Sequence, residues 1–417
     1  MKIAIIGAGP AGILLAHYLQ ECFPEARLEL YEKQARAGGQ AECAVHGGIV
    51  HPFGTCFTHQ GYRSIHGLMK RFDEVGQVTS RQIHYVTSTG DVRPLAGGLR
   101  DKLGMLAGML RLSLLRRTWQ RGGQETAPTW VDNGMPFHRF LERKRISLSS
   151  ELIRVATTGQ LYGPPEAITT FNALQWYSPA LFMTTLRRRV QHLPGGFERL
   201  FERILASSGG QLHLGSEVQA CVPEGDHVRL YPQGEVYDHV FITVPLDRIV
   251  TPLQDRISAT GPYADQHVVS LHVRLEKAVP ERRIYTFDAA KHLHVMASVP
   301  LGDDEPRSPL HWVLARFGSD AAALDDDVVV RTVLHELRTV RDFGEISVVG
   351  LRRYRYNVHY SAAQLAARLP QYIDAMQGMG HVWYGGGAVS HWDVESIAVQ
   401  SRELVARFAD SLSTSAQ

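Results

Sequence analysis

The chain has no run of about 20 uninterrupted apolar residues, so the sequence predicts no transmembrane helix. It is poor in cysteine: Cys22, Cys43, Cys56 and Cys221 are its 4 cysteines, and none pairs as Cys-x-x-Cys. That scatter argues against a zinc site and against a disulfide framework, so no metal is expected and a reducing, cytoplasmic setting fits best. Neither sign of charge dominates. With 44 Lys and Arg against 42 Asp and Glu, the net charge of +2 does not support nucleic-acid binding by bulk electrostatics. The apolar start does not read as a signal peptide, because glycines punctuate it and the pattern runs straight on into a second strand.

What is present begins at once. At 417 residues, 44% hydrophobic and 21% charged, the chain is long enough for two substantial domains and a large core. Lys2 to Ile6 is a short apolar run without helical period that stops at Gly7, which predicts a buried parallel strand opening into a tight turn. Gly7, Gly9 and Gly12 complete Gly-x-Gly-x-x-Gly, with Pro10 and Ala11 inside it. Gly7 allows the turn, Gly9 lets backbone amides approach a pyrophosphate, and Gly12 lets the next helix pack close to the strand. A helix from about Pro10 to Gln20 then aims unpaired N–H groups at the phosphates. Leu28 to Tyr31 predicts a second strand, and Glu32 at its end is placed to accept hydrogen bonds from both ribose hydroxyls. By these residues alone the dinucleotide is NAD or FAD.

Glu32-Lys33 followed by Arg36-Ala37-Gly38-Gly39 resembles the extended flavin fingerprint, which implies FAD. In that resemblance Gly38 and Gly39 give a second close approach to the pyrophosphate, and Arg36 helps neutralise it. Ala41 to Phe57 is a plausible backbone path past an isoalloxazine ring, with Gly54 allowing close approach beside Thr55. The stretch Gly48 to His59 resembles the flavin-side segment of UDP-galactopyranose mutases, and the family's flavin-facing histidine falls on Cys56. His51 and His59 flank it as further pocket candidates.

Tyr62 to Phe72 reads as an amphipathic helix, and residues 81 to 95 as a hairpin turning at Thr89-Gly90. Residues 97 to 121 predict a long apolar helix. It is either a buried lid or, through Arg111, Arg116, Arg117 and Arg121, a patch that meets a membrane surface. Met135 to Arg143, Glu151 to Thr158 and Ala167 to Tyr177 look helical. Their order, with Leu161-Tyr162-Gly163 between, resembles the substrate domain of bacterial flavin-dependent polyunsaturated fatty acid isomerases, within the flavin amine oxidase superfamily. Phe171, Trp176 and Tyr177 read as core, and Tyr162 and Trp392 as pocket walls.

Leu193 to Phe197 and the helix after it resemble the superfamily's return to the cofactor domain. Leu212 to Val218 is then expected to be a strand whose Val218 backbone meets the adenine, followed by a hairpin through Val228 to Leu230 and Val240 to Val244. Val268 to Leu275 alternates as a strand of a second, antiparallel sheet. There the resemblance to amine oxidases implies a lysine, and Ser270 occupies the position. Strands at His292 to Val299, Leu310 to Arg316 and Val348 to Arg355 follow, with a helix at Asp327 to Val340. Arg353 or Arg355 is a candidate for holding a substrate anion, the alternative being a strand with one solvated face. Val382 to Gly387, Trp392 and Val394 resemble the superfamily's carboxyl-terminal flavin motif, with Gly386 and Gly387 at its turn and Gly387 where an acid is usual.

The expectation is an α/β fold with a discontinuous Rossmann-type FAD domain (residues 1–90, 195–260 and 376–417), a helical cap (91–194) and an antiparallel substrate sheet (261–375). No second Gly-x-Gly-x-x-Gly occurs in a strand–helix setting, which argues against a separate NADPH domain. The resemblance implies an FAD-dependent oxidoreductase taking a hydride from a C–H bond of a small, mainly apolar metabolite. Redox-neutral isomerisation is the alternative, with a nucleotide-sugar mutase and a non-catalytic flavin or escort protein behind it. Catalytic candidates are Cys56, His59, Tyr162 and Trp392.

Overall fold

The computed structural model describes residues 1–80, 82–87, 91–94, 99–121, 133–146, 166–176, 189–277, 283–287, 292–298, 310–317, 323–340 and 342–415, together with 153, 157, 183 and 184. The first third of the chain carries strands β1 (Lys2–Ile6), β2 (Arg27–Tyr31), β3 (Cys43–His46), β4 (Ile49–Pro52), β5 (Gln77–Ser80), β6 (Gln82–Val86) and β7 (Val92–Pro94). Its helices are α1 (Pro10–Cys22), α2 (Arg63–Arg71) and α3 (Leu99–Arg121), followed by α4 (Phe137–Arg143) and α5 (Thr170–Trp176). Next come β8 (Arg189–His192), α6 (Gly196–Ser207), β9 (Gln211–His213), β10 (Ala220–Glu224), β11 (His227–Tyr231), β12 (Val236–Tyr237), β13 (His239–Ile242) and α7 (Gln254–Thr260). The last part holds β14 (Ala264–Leu275), β15 (Arg283–Phe287), β16 (Leu293–Ser298), β17 (Leu310–Phe317), α8 (Asp326–Val340) and β18 (Ile346–His359). It closes with α9 (Ala362–Ala366), α10 (Leu369–Ala375), β19 (Val382–Tyr384) and α11 (Val394–Ser415).

Five strands from three separate stretches form one parallel sheet in the order β19-β13-β1-β2-β9. Both faces are covered, which is why β1 reads as a continuous apolar run. Ile3 and Ile5 pack with Leu15 of α1 and with Leu404 and Phe408 of α11, while Ala4 and Ile6 face Leu230, Tyr237 and Ile257 on the other side.

The second sheet runs β18-β14-β17-β16-β15-β6-β7 and is antiparallel except where β15 meets β6. Its strand β14 is buried on both faces from Val268 to Val273, whereas the alternating sequence predicts one wet face. The reason is that Val269, Leu271 and Val273 pack under α8, through Val329, Val333 and Leu337, while Val268, Ser270 and His272 face the loops around Phe53.

Two expectations need correction. Residues 240–242 belong to β13 beside β1 in the parallel sheet, so the partners of β11 are β10 and β12. A strand with both flanks apolar is central to a parallel sheet, and Val240 to Ile242 have that character. The strand expected to run to Val218 ends at His213, because Gly215 turns the chain with φ +62°. The hairpin expected within residues 81 to 95 is formed by β6 and β7, and it extends the antiparallel sheet from the far edge. The turn Thr89-Gly90 between them, the helix expected at Glu151 to Thr158 apart from two isolated residues, Tyr162, Tyr177, and the side chains of Arg116, Arg117, Arg121 and Trp176 lie outside the described residues.

Candidate cofactor cleft and substrate chamber

Parallel strands deliver their carboxyl ends to one edge of the sheet, and the loops that leave β1, β2, β13 and β19 converge there. Gly7, with φ +97°, sits so close to the loop after β13 that a Cβ would lie 2.8 Å from both Thr243 Oγ1 and Val244 Cγ1. A Cβ on Gly386 would lie 2.4 Å from the Thr243 carbonyl oxygen, and one on Gly12 only 1.8 Å from that of Gly7. These glycines make the close approaches that bring the three loops together.

The loop after β2 is locked to the first one. Glu32 accepts hydrogen bonds from the Ala8 amide at 3.0 Å and the Gln34 amide at 2.9 Å, and the Gly38 amide donates to Ala8 O at 2.8 Å. Gly39 has φ +50°, and its Cβ would stand 3.1 Å from Gly9 Cα. The two glycine turns therefore face each other at the start of α1, where no side chain caps the helix at Gly9. An uncapped helix start rimmed by glycine backbone, with Pro10 at its first position and the Ala11 and Gly12 amides unpaired within the helix, is an anion cradle. Lys33 is exposed beside it.

Arg36 is engaged within its own loop. Its guanidinium donates to Ala37 O at 3.0 Å and Gly39 O at 2.7 Å and pairs with Glu42. It holds the Gly38-Gly39 turn in shape. Glu42 is itself a hub that the sequence did not reveal: buried at 6% exposure, it also accepts from Arg352 Nε at 2.5 Å and from the Tyr354 hydroxyl at 3.0 Å, tying the loop to β18.

At the carboxyl-terminal loop, a Cβ on Gly387 would meet Trp392 Cα at 3.2 Å, so the turn leaves no ready room for the acid usual in the resemblance. Val394 packs among Ala11, Ile13 and Leu14, which sets the first turn of α11 against α1. The end of α11 is closed by its own chain: Asp393 Oδ1 accepts from the Glu395 amide at 3.1 Å and the Ser396 amide at 3.0 Å, and Oδ2 meets His391 Nδ1 at 2.5 Å. Burial opposes charge on Asp393, yet the His391 ring and the Ser396 hydroxyl and amide overcome it and hold the carboxyl down at about 2. Glu395 similarly caps α2, accepting from the amides of Ser64 at 2.8 Å and Ile65 at 3.0 Å. Val218 is buried among Ala4, Ile6 and Tyr31 at the β2 side of the cleft.

Gly54 and Thr55 follow β4. A Cβ on Gly54 would lie 2.2 Å from Gln40 O, and the Thr55 amide donates to the same oxygen at 3.1 Å. Gly54 is thus required for packing against the neighbouring loop. Beyond it Cys56 joins an apolar cluster with Val268, Val295, Trp312, Leu314 and Tyr356, against which Tyr354, Ile284 and Trp392 also pack. The Trp392 and Tyr356 rings are 5.7 Å apart. Two catalytic candidates, Cys56 and Trp392, are therefore brought to one apolar cluster, and Trp312 and Tyr356 are members that sequence reasoning missed. Their signal was register: in β17 and β18 they sit on the face shared with Val268 and Ser270.

His59 stands aside from that cluster. Its Nδ1 accepts from the Gly61 amide at 3.0 Å, its ring packs 4.4 Å from Tyr62, and burial lowers it to about 4. His51 lies with His46 and His272, ring centroids 5.4 to 5.7 Å apart, and burial lowers His51 and His272 to about 4 each. Among the described residues no group of His, Cys, Asp and Glu has the geometry to hold a metal ion. Phe171 packs edge-on to Tyr360 at 5.9 Å inside the core.

The arginines of β18 have carboxylate partners. Arg355 pairs with Asp247 through two bonds, at 2.9 and 2.6 Å, and with Asp265; Arg353 pairs with Asp326 at 2.6 Å. Each candidate cation therefore already has a carboxylate partner. Ser270, buried at 0% exposure, accepts from Trp312 Nε1 at 2.8 Å.

Residues 5–72 match the family model described as an NAD(P)-binding Rossmann-like domain. The fold is shared with solved structures of a fatty acid isomerase and of two amine oxidases. The chain is similar to a CLA-producing fatty acid isomerase from P. acnes, with TM-score 0.80 and 17% identity over 97% of this chain and 98% of that one. It is similar to wild-type putrescine oxidase bound to putrescine, with TM-score 0.72 and 13% identity over 98% and 99%. Cyclohexylamine oxidase from Brevibacterium oxydans IH-35A gives TM-score 0.73 and 15% identity over 99% of each chain. No curated protein matches the sequence.

Proposed function

We propose that the protein is an FAD-dependent oxidoreductase acting on a C–H bond of a small, mainly apolar metabolite. The observation that carries the reading is the pair of facing glycine turns, Gly7 to Gly12 and Gly38-Gly39, at the uncapped start of α1, with the apolar wall of Cys56, Trp312, Tyr356 and Trp392 beyond the next loop. The donor set fits a dinucleotide: backbone amides and a helix start for the phosphates, and Glu32 at the end of β2 for a ribose. Gly9, Gly12, Glu32, Gly39, Thr55, Val218, Gly386 and Val394 are the residues assigned to hold it, with residues 1–80, 195–260 and 376–417 as the cofactor-binding part.

Bound FAD supplies a two-electron acceptor at N5. The chain supplies position and dryness. Val268, Val295, Leu314 and the rings of Trp312, Tyr356 and Trp392 offer an apolar substrate van der Waals contact and exclude water from the reacting carbon. On the same face of β17 as Trp312 and Leu314, the Arg316 guanidinium is held by Gln266 Oε1 at 3.0 Å and His294 Nε2 at 3.1 Å. Burial raises the Tyr356 phenol above its ordinary range, so it stays neutral near pH 7. That chemistry suits a donor carbon that needs no strong base.

Redox-neutral isomerisation of a C=C bond is the second reading. Ser270, held by Trp312 where the resemblance to amine oxidases implies a lysine, favours it, as does the likeness to the fatty acid isomerase. Purified protein is expected to be yellow. Bleaching of the flavin by anaerobic substrate with recovery in air supports the oxidoreductase; substrate turnover without oxygen uptake or net bleaching supports the isomerase. Colourless protein after incubation with FAD rejects both.

A further inference from the structure

The helix α3 shows two opposite faces. Met109 and Leu112 are buried with Phe137, Phe140 and Leu141 of α4. On the other side Leu103, Leu106, Leu110 and Leu114, spaced three and four residues apart on one stripe, are exposed by 57%, 39%, 59% and 61%. Gly104 and Ala107 lie exposed among them, so no charge interrupts the stripe between Leu103 and Leu110. Four exposed leucines in a row are costly in water, and such a face marks a contact surface.

The charge around the stripe says what it meets. α3 contains Arg100, Lys102, Arg111, Arg116, Arg117 and Arg121 against Asp101 alone. The adjoining stretch from Phe137 to Arg145 contains Arg139, Arg143, Lys144 and Arg145 against Glu142 alone. The two are neighbours, for Arg111 donates to Arg145 O at 3.1 Å, and Arg139, Arg143 and Arg145 are exposed. This concentration of positive charge sits in a chain whose net charge is only +2, so the remainder is net acidic. Among the described residues no helix is long and apolar enough to cross a membrane.

We propose that α3 and the end of α4 form a docking surface for an anionic lipid bilayer. The leucine stripe enters the headgroup boundary while the arginines pair with lipid phosphates, and the helix lies in the interface without spanning it. A second copy of the chain fits less well, since two such faces would oppose like charges. The inference is independent of the cofactor reading.

The test is co-sedimentation of the full chain with phosphatidylcholine vesicles, with and without an equal share of phosphatidylglycerol, at low and high salt. Binding is expected only with phosphatidylglycerol, to weaken with salt, and to fall by about tenfold or more in Leu110→Glu/Leu114→Glu. Arg111→Glu/Arg143→Glu should weaken it while leaving the stripe intact. Circular dichroism confirms that each variant is folded. Absence of sedimentation, equal binding to both vesicle types, or undiminished binding of the folded leucine variant overturns the proposal. So does a concentration-dependent dimer that the leucine variant abolishes without any vesicle binding, which would assign the face to a second copy.

Discussion

Trp312 Nε1 donates to Ser270 Oγ at 2.8 Å, joining neighbouring strands β17 and β14 beside the apolar cluster of Cys56, Tyr356 and Trp392. The same indole N–H also reaches Phe53 O at 3.3 Å, so the bond ties the sheet to the loop that follows β4. A serine that does this is a structural brace in the place where the resemblance implies a reactive cation.

Ser270→Ala removes one acceptor from a buried indole that keeps a second. A loss of about 1 kcal/mol in urea denaturation is expected, with flavin content unchanged. A folded Ser270→Ala that loses flavin would show that the side chain serves the cofactor instead.

Gly39→Ala tests the facing glycine turns. A Cβ there would press on Gly9 Cα at 3.1 Å and must adopt φ +50°. The expected outcome is folded protein with its flavin-to-protein absorbance ratio reduced by at least about tenfold. Gly12→Ala is expected to be worse, because its Cβ would fall 1.8 Å from Gly7 O and disrupt the packing of α1 on β1.

Asp393 gives the acid limb of stability a defined source. Its carboxyl is held at about 2 against an ordinary value of 3.8, so it contributes stability above pH 4 that is lost as pH falls through 2. Asp393→Asn should be less stable at pH 6 by about 2 kcal/mol and should approach the wild type below pH 3. Chemical denaturation across that range reads it; parallel curves would place the acid sensitivity elsewhere.

The buried histidines act in a higher window. His51 and His272 titrate near 4 when folded and near 6.5 when unfolded, so the unfolded chain takes up protons first as pH falls below 6.5. Stability is complete above pH 6.5 and declines toward pH 4. His272→Gln, which keeps a donor for Pro52 O, should flatten that decline by about 1 to 3 kcal/mol. His46, Arg352 and Glu42 surround the ring, and removing the repulsion of Arg352 should raise its titration point.

The sequence alone determined the cofactor edge. Lys2 to Ile6, Gly7, Gly9, Gly12 and Glu32 are local: a buried strand, a turn that only glycine makes and a helix start follow from adjacent residues, and each lies where the pattern put it. The strands β14, β16, β17 and β18 were legible for the same reason, since apolar and branched residues declare themselves over a few positions. Tertiary structure decided the rest. That Val240 to Ile242 enters the parallel sheet beside β1, that Glu42 collects Arg36, Arg352 and Tyr354, and that Arg355 is consumed by Asp247 and Asp265 are pairings between residues up to hundreds of positions apart. Periodicity says that a side chain is buried or charged; only the folded chain says which partner neutralises it. So the local backbone code wrote the dinucleotide cradle into the first residues, whereas the apolar cluster of Cys56, Trp312, Tyr356 and Trp392 exists only once four distant segments meet.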